Sequence, residues 1–170
     1  MNTKNFLHTI ARSVFAALLL FAVAGASPTR AGEWNGIEPL KSRRADVERV
    51  LGRPIQDVPG QTGTLRFKVA GGTVTVFFVN SKFVESRKLA PEVEGTVMQI
   101  VLQHERATDT PESLGLVNNS KFERQDKGEV SGFVNLKDGI AYTFVQGKLT
   151  TTRYSATAED LARLIRKSSK

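Results

Sequence analysis

His104 and the adjacent Glu105 are the residues of this sequence best suited to acid–base chemistry. An imidazole titrates near neutral pH, and a neighbouring carboxylate can hold the ring in one tautomer. The chain has two histidines, and the other, His8, lies in its first ten residues. Because no second histidine, cysteine or nucleophile motif accompanies His104, the pattern favours a surface histidine over the centre of a small hydrolase.

Two further features have a chemical and a structural interpretation. Glu92 with Glu94, and Glu159 with Asp160, are neighbouring carboxylates, but acid–base pairs need opposed geometry and different environments. Acidic residues at 159 and 160 are equally well explained by the start of a helix. Trp34 is either an aromatic binding residue or, as we favour, an anchor in the core.

Basic residues suggest a second kind of site. Lys82, Arg87 and Lys88 are candidates for binding anionic glycans or lipid head groups, with ordinary solvated surface as the favoured alternative. The chain carries 24 Lys and Arg against 17 Asp and Glu, a formal net charge of +7. That surplus is compatible with a weak contact to an anionic surface. Nucleic acid is not expected as a partner, since no long basic stripe is interleaved with aromatic residues.

Composition argues against cofactors and metals. The chain has no cysteine, which excludes disulfides, thiol catalysis and zinc–thiolate sites. Gly71 and Gly72 join two predicted strands and lead into no helix, so they indicate a hairpin turn and not a phosphate loop. The aspartates are too scattered for a calcium loop. We therefore expect no cofactor and no metal ligands.

The first 31 residues are typical of a secretory signal peptide. Lys4 and Arg12 precede a short apolar run, residues 14–23, and small residues follow it. Cleavage is expected after Ala26 or after Ala31. The run is about half the roughly 20 residues that span a bilayer, so no membrane span is expected after processing. An uncleaved N-terminal anchor is the alternative interpretation.

Residues 32–170 are predicted to form a single α+β domain. A first helix, 43–51, should be capped by Ser42 and stopped by Gly52 and Pro54. Residues 55–63 are expected to be a turn-rich connection and residues 80–94 a long, mobile loop, and a short helix should start at 109. Thr157 should cap a C-terminal amphipathic helix. Alternating or continuous apolar residues predict antiparallel strands at 64–69, 73–79, 96–103, 130–136, 140–145 and 149–154.

Two stretches carry a resemblance to known families. Residues 34–54, WNGIEPLKSRRADVERVLGRP, resemble the opening of a family of uncharacterised small secreted bacterial proteins, Gly-Ile-x-Pro-Leu-x-Ser-x-Arg-x-Asp-Val-Glu. Residues 139–160 resemble that family's closing hairpin, although the cysteines of its members are missing here. More distantly, the helix ending at Pro54 is similar to the SmpA/OmlA (BamE-like) lipoproteins and to the β-lactamase inhibitor protein fold. These resemblances imply an exported binding protein with no known enzymatic activity.

Together these features predict an exported protein, periplasmic or secreted, that acts through surface contacts. The leading hypothesis is an interaction module that binds another envelope or extracellular protein through an open sheet face or through residues 80–94. The alternatives are a small hydrolase using His104 and Glu105, and a binder of anionic glycans or lipid head groups using Lys82, Arg87 and Lys88.

Overall fold

An eight-stranded sheet organises residues 32–58 and 63–165, which are the parts of the chain that this computed structural model describes. Every pairing is antiparallel, and the spatial order is β1-β2-β3-β4-β8-β7-β6-β5. The strands are β1 Gln56–Val58, β2 Thr64–Val69, β3 Gly72–Phe78, β4 Val97–His104, β5 Glu123–Lys127, β6 Val130–Asn135, β7 Ile140–Val145 and β8 Lys148–Ser155. The fold is therefore mostly β with some α, which agrees with the α+β class at that level.

Short helices accompany the sheet. They are α1 Arg44–Leu51, α2 Ser81–Arg87 and α3 Ala158–Arg163, with a single 3₁₀ turn at Pro91–Val93. Within the described ranges, none of the helices has the length and apolar character that crossing a bilayer requires. The predicted signal peptide, residues 1–31, and both of its cleavage sites lie outside the described residues.

The β2–β3 and β7–β8 hairpins form where the sequence predicts them. β2 and β3 pair from Leu65 opposite Val76 to Val69 opposite Gly72, next to the predicted turn. β7 and β8 are joined by Gln146 and Gly147, both in the left-handed region with φ of 51° and 74°, as a tight hairpin requires. β6, β7 and β8 begin and end within one residue of their predicted bounds.

The side chains of one face of the sheet form most of the core. Leu65, Phe67, Val74, Val76 and Ile100 are fully buried and pack with Val47 of α1 and with Ile37. A second cluster closes one end of the sheet with apolar residues of α2 and α3. In the third cluster, Phe133 and Phe144 pack edge to face, with ring centroids 5.7 Å apart, under the segment that contains Leu116.

The first helix is capped differently from the prediction. The N-cap residue is Arg43, whose backbone N–H donates to Asp46 Oδ2 at 2.9 Å. The hydroxyl of Ser42 is turned the other way and accepts from the Glu38 backbone N–H at 2.9 Å. Gly52 ends the helix with a φ of 80°, as predicted. The prediction of Ser42 as the cap was wrong because its hydroxyl completes the preceding turn.

Residues 80–94 form ordered structure, and the prediction of a long loop was wrong. Asn80 Oδ1 accepts from the Phe83 backbone N–H at 2.8 Å and starts α2. Val84, Leu89 and Val93 are buried in the second cluster. The segment has many charged residues and only a few buried apolar ones, so its sequence shows no clear apolar pattern.

Three other elements differ from the prediction. β1 falls inside the expected loop 55–63, and β5 falls in a stretch that has no apolar pattern. The expected helix at 109 is a series of turns, in which Thr110 and Ser113 exchange hydrogen bonds and Gly115 adopts a φ of 62°. At the C-terminus the prediction is confirmed: Thr157 and Asp160 form the reciprocal capping box of α3.

Candidate functional site

His104 and Glu105 do not form a dyad. His104 Nε2 lies 2.9 Å from Thr152 Oγ1 on the core side of the sheet. Glu105 Oε1 accepts from Lys68 Nζ at 2.6 Å, and Lys68 belongs to the opposite face. Burial lowers the pKa of His104, an effect that the nearby Asp109 opposes. The bond to Lys68 holds the pKa of Glu105 below its usual value. The two side chains therefore have separate partners and separate environments.

The basic side chains Lys82, Arg87 and Lys88 all lie on or next to α2, but they do not share one surface. At 3.6 residues per turn, Arg87 lies about 140° from Lys82 around the helix axis. Lys88 follows the helix in the left-handed conformation, with a φ of 54°. Arg87 stacks over the Phe83 ring, with its guanidinium carbon 5.9 Å from the centroid. The three side chains are therefore close in sequence but project in different directions, so their positive charges do not form one patch.

At residues 159 and 160 the neighbouring carboxylates have structural partners. Asp160 belongs to the capping box of α3, and Glu159 pairs with Arg163 one turn later. At 92–94 the backbone carbonyls of Glu92 and Glu94 accept from the Arg43 guanidinium at 2.7 and 3.1 Å. Among the described residues, no group of three acidic or histidine side chains is arranged to hold a metal ion.

The face of the sheet opposite the core is a candidate surface, and we call it the open face. Successive residues of a strand point to opposite faces, so the register defines its members. One row across the sheet consists of Arg66, Thr75, Val101, Arg153, Ala141, Val134 and Glu123. The adjacent row consists of Lys68, Thr73, Gln103, Thr151, Thr143, Gly132 and Gln125.

The centre of the open face is apolar and is not part of the core. Val101, Ala141 and Val134 are partly exposed, and they belong to none of the three core clusters of the described residues. Val130 pairs with Val145 at the same face, and these side chains are 38% and 39% exposed. An exposed apolar strip with polar surroundings is typical of a surface that contacts another molecule.

Positive charge borders this strip and also lies within it, because Arg153 stands between Val101 and Ala141. The strands bring five cationic side chains to the open face, Arg66, Lys68, Lys127, Lys148 and Arg153. Glu123 is the carboxylate that the same strands bring to it, while Glu105, just beyond β4, pairs with Lys68. Arg153, Lys127 and Lys148 form no ion pair within the described part of the chain. The face is therefore electropositive.

Arg66 is held flat on the open face by a small polar network. Its Nη2 donates to Gln103 Oε1 at 3.1 Å and lies 3.4 Å from Thr73 Oγ1. Thr73 Oγ1 donates in turn to Gln103 at 3.1 Å. The Nε of Arg66 is buried without a hydrogen-bond partner among the described residues. The network fixes the position of the positive charge over β3 and β4.

Sequence reasoning named the open sheet face as a contact surface but named none of its residues as site residues. The strand patterns indicate that Arg66 and Lys68 point away from the core. Arg153 becomes part of the same row only because β8 pairs with β4 across a long stretch of chain. The order of strands that are distant in sequence leaves no local signal in the residues themselves.

Comparisons with known proteins add little to this picture. No family model matches the chain, and no curated protein matches it. Among solved structures the chain is similar to a DUF4309 family protein (YjgB) from Bacillus subtilis, with a TM-score of 0.44 and 13% sequence identity. The match covers 72% of this chain and 83% of that one.

Proposed function

We propose that this protein is an exported, non-enzymatic interaction module that binds another protein of the cell envelope or extracellular space through the open face of its sheet. The export part of the proposal is supported by the residue pattern of segment 1–31. The resemblance of residues 34–54 to exported bacterial proteins points to the same compartment. In the described residues, His104 and Glu105 have separate partners, which leaves the hydrolase alternative without an assembled centre.

One observation carries the proposal: exposed apolar side chains and cations without an ion pair lie side by side on the same sheet face, with Arg153 between Val101 and Ala141. Arg66 and Arg153 flank Thr75 and Val101 in one row, three strands apart. At about 4.8 Å between neighbouring strands, their backbones lie about 14 Å apart. A partner that presents carboxylates around an apolar centre complements both features. We therefore infer that the partner is a protein with an acidic surface.

Site-specific photocrosslinking tests the proposal directly. A benzophenone amino acid at Thr75 lies between Arg66 and Val101, whereas one at Leu136, 76% exposed, lies in the β6–β7 turn beyond the two rows of the open face. We expect a partner protein to be captured from Thr75 and not from Leu136. Capture from Thr75 should fall about tenfold in the Arg153→Glu variant, because reversing a charge at the contact costs roughly 1.4 kcal/mol or more.

The salt dependence and a third crosslinking position distinguish the alternatives. Capture through the open face should weaken as ionic strength rises, because the Debye length is only about 10 Å at 0.1 M. Equal capture from Thr75 and Leu136, or capture that Arg153→Glu leaves unchanged, would contradict the proposal. Capture from position 82 alone would favour the α2 segment, with its Lys82, Arg87 and Lys88, as the contact surface.

Export has its own measurement. The intact mass of the protein recovered from its native compartment should correspond to a chain that starts at Ser27 or at Gly32. A mass that still includes the first 26 residues would reject cleavage, and it would do so whatever the crosslinking experiment shows.

A further inference from the structure

A cleft of about 560 Å³ lies beside the β2–β3 hairpin; it is lined mainly from the core side of the sheet and reaches Thr73 and Gln103, which belong to the open face. Trp34, Val50, Leu51, Val69 and Leu102 line it together with the hairpin backbone at Gly71 and Gly72. We call it the Trp34 cleft. Its volume falls within the range of about 300–1,000 Å³ that small-molecule sites occupy.

The apolar side of the Trp34 cleft is continuous with the core. Trp34, Leu51, Val69 and Leu102 are partly buried and pack against the first core cluster. Val50, on the same helix as Leu51, is 40% exposed at the edge of the cleft. An apolar ligand placed here covers side chains that the core already supports from below, so binding requires little rearrangement.

Trp34 is held in position by a tight turn. Its backbone N–H donates to Ile37 O at 3.1 Å, and the Ile37 N–H donates back to Trp34 O at 2.9 Å. Asn35 and Gly36 between them have φ of 51° and 77°, and Ile37 is fully buried. The turn therefore fixes the backbone that carries the indole before any ligand arrives.

The polar groups of the cleft are uncharged at neutral pH. None of its lining residues is a lysine, arginine, aspartate or glutamate. His104 is the titratable group there, and burial lowers its pKa, so the ring is neutral near pH 7. Its Nε2 is engaged with Thr152, while Nδ1 has no hydrogen-bond partner among the described residues. The Asn35 amide, on the exposed turn, also lines the cleft.

We propose that the Trp34 cleft binds a small uncharged ligand, whose apolar body lies against Trp34 and Val50 and whose hydroxyl or carbonyl group bonds to His104. An ionised ligand has no counter-charge among the residues that line the cleft and would lose its hydration without replacement, which disfavours it. Thr75 and Arg153, which test the open face, do not line the cleft, so each proposal can fail without the other.

Trp34 is the only tryptophan of the chain, so its fluorescence reports on the cleft directly. The probes are 1-octanol, which has an apolar body and one hydroxyl, and octanoate and octylammonium, which have the same chain with a charge. At pH 7.5 we expect 1-octanol to change the Trp34 emission saturably. Both charged probes should bind about tenfold more weakly or worse, equivalent to roughly 1.4 kcal/mol.

Two matched variants locate the binding. Val50→Glu places a carboxylate at the edge of the cleft and should weaken 1-octanol binding by about tenfold. Val117→Glu alters a valine of similar exposure, 36%, that does not line the cleft, and should leave the affinity unchanged. Both sites are exposed, so both variants should fold, which circular dichroism checks. Linear quenching without saturation, equal binding of octanol and octanoate, or wild-type affinity in Val50→Glu would each overturn the proposal.

Discussion

Arg66 on β2 and Gln103 on β4 are joined by a 3.1 Å hydrogen bond that passes over the intervening strand β3. Thr73, on that intervening strand, donates to the same Gln103 oxygen. Three neighbouring strands are thus linked by side chains as well as by their backbones. The link also decides where the guanidinium of Arg66 lies on the open face.

Removing the acceptor of this network should cost stability. Gln103→Leu leaves the Arg66 guanidinium without that partner, so we expect the free energy of unfolding to fall by about 1 kcal/mol. Gln99→Leu is the matched control, because Gln99 lies on the same strand and face and is not part of the network. Urea denaturation of both variants makes the comparison. Equal losses would show that the network contributes nothing beyond the shape of the side chains.

Alanine substitutions at two turn glycines should distinguish the cost of backbone strain from the cost of a steric clash. Gly139 has a φ of 64°, and a Cβ there would lie 2.1 Å from the Ser155 carbonyl oxygen. Gly147 has a φ of 74° but open space around it. Gly147→Ala should therefore cost only the left-handed strain, about 1 kcal/mol. Gly139→Ala forces β8 to move and should cost more than about 3 kcal/mol. Similar melting temperatures for the two variants would contradict the expected clash between a Cβ at position 139 and the Ser155 carbonyl oxygen.

Asn80 is the N-cap of α2, the helix with which the ordered segment 80–94 begins. Asn80→Ala removes the acceptor of the Phe83 N–H and should lower the free energy of unfolding by about 1 kcal/mol. The amides of Val84 and Leu89, which donate to Asn80 O and Val84 O, should exchange faster with solvent. Lys82→Ala is the control, since an exposed side chain in the same helix should matter by less than about 0.5 kcal/mol. Fast amide exchange in the unmodified protein would instead support a mobile loop.

Acidification should destabilise the protein through His104. Burial lowers its pKa in the folded state, whereas in the unfolded chain its pKa lies near the ordinary value of 6.5. The unfolded state therefore binds the proton first, and stability is full above pH 6.5 and falls as the pH drops through the folded pKa. Asp109 partly opposes this effect. His104→Gln should flatten the dependence between about pH 7 and 5.

The measurement is the free energy of unfolding at several pH values for both proteins. Carboxylates whose pKa is lowered, such as Glu105 and Asp126, lose their contribution at lower pH, below about 4.5. That loss is common to wild type and variant, so the difference between their curves isolates His104. Parallel curves from pH 7 to 5 would show that His104 titrates alike in both states.

The sequence predicts an element well where the element's own residues determine it. Leu65, Phe67 and Val69 alternate with Arg66 and Lys68, and β2 begins and ends as this pattern predicts. Thr157 and Asp160 define the start of α3 in the same local way. Elements stabilised by their neighbours are different. Residues 123–127 have no apolar residue, and they form a strand because β6 offers them a partner.

Strand order explains why the candidate site was only partly foreseeable. Val101 and Arg153 are neighbours because β4 pairs with β8, 52 positions further along the chain at this pair. The same pairing brings Thr152 to His104 and so turns that histidine away from Glu105. Neither contact leaves a trace in local spacing, whereas Trp34 could be named as a candidate from its residue type alone.

β5 forms one edge of the sheet, and all five of its residues are exposed. Four of the five residues of β5 are charged, Glu123, Arg124, Asp126 and Lys127. The opposite edge, β1, is only three residues long. Unpaired strand edges are templates for aggregation and amyloid growth, which charged side chains and short edges suppress. The charged edge therefore gives this disulfide-free protein protection against self-association into fibrils at high concentration.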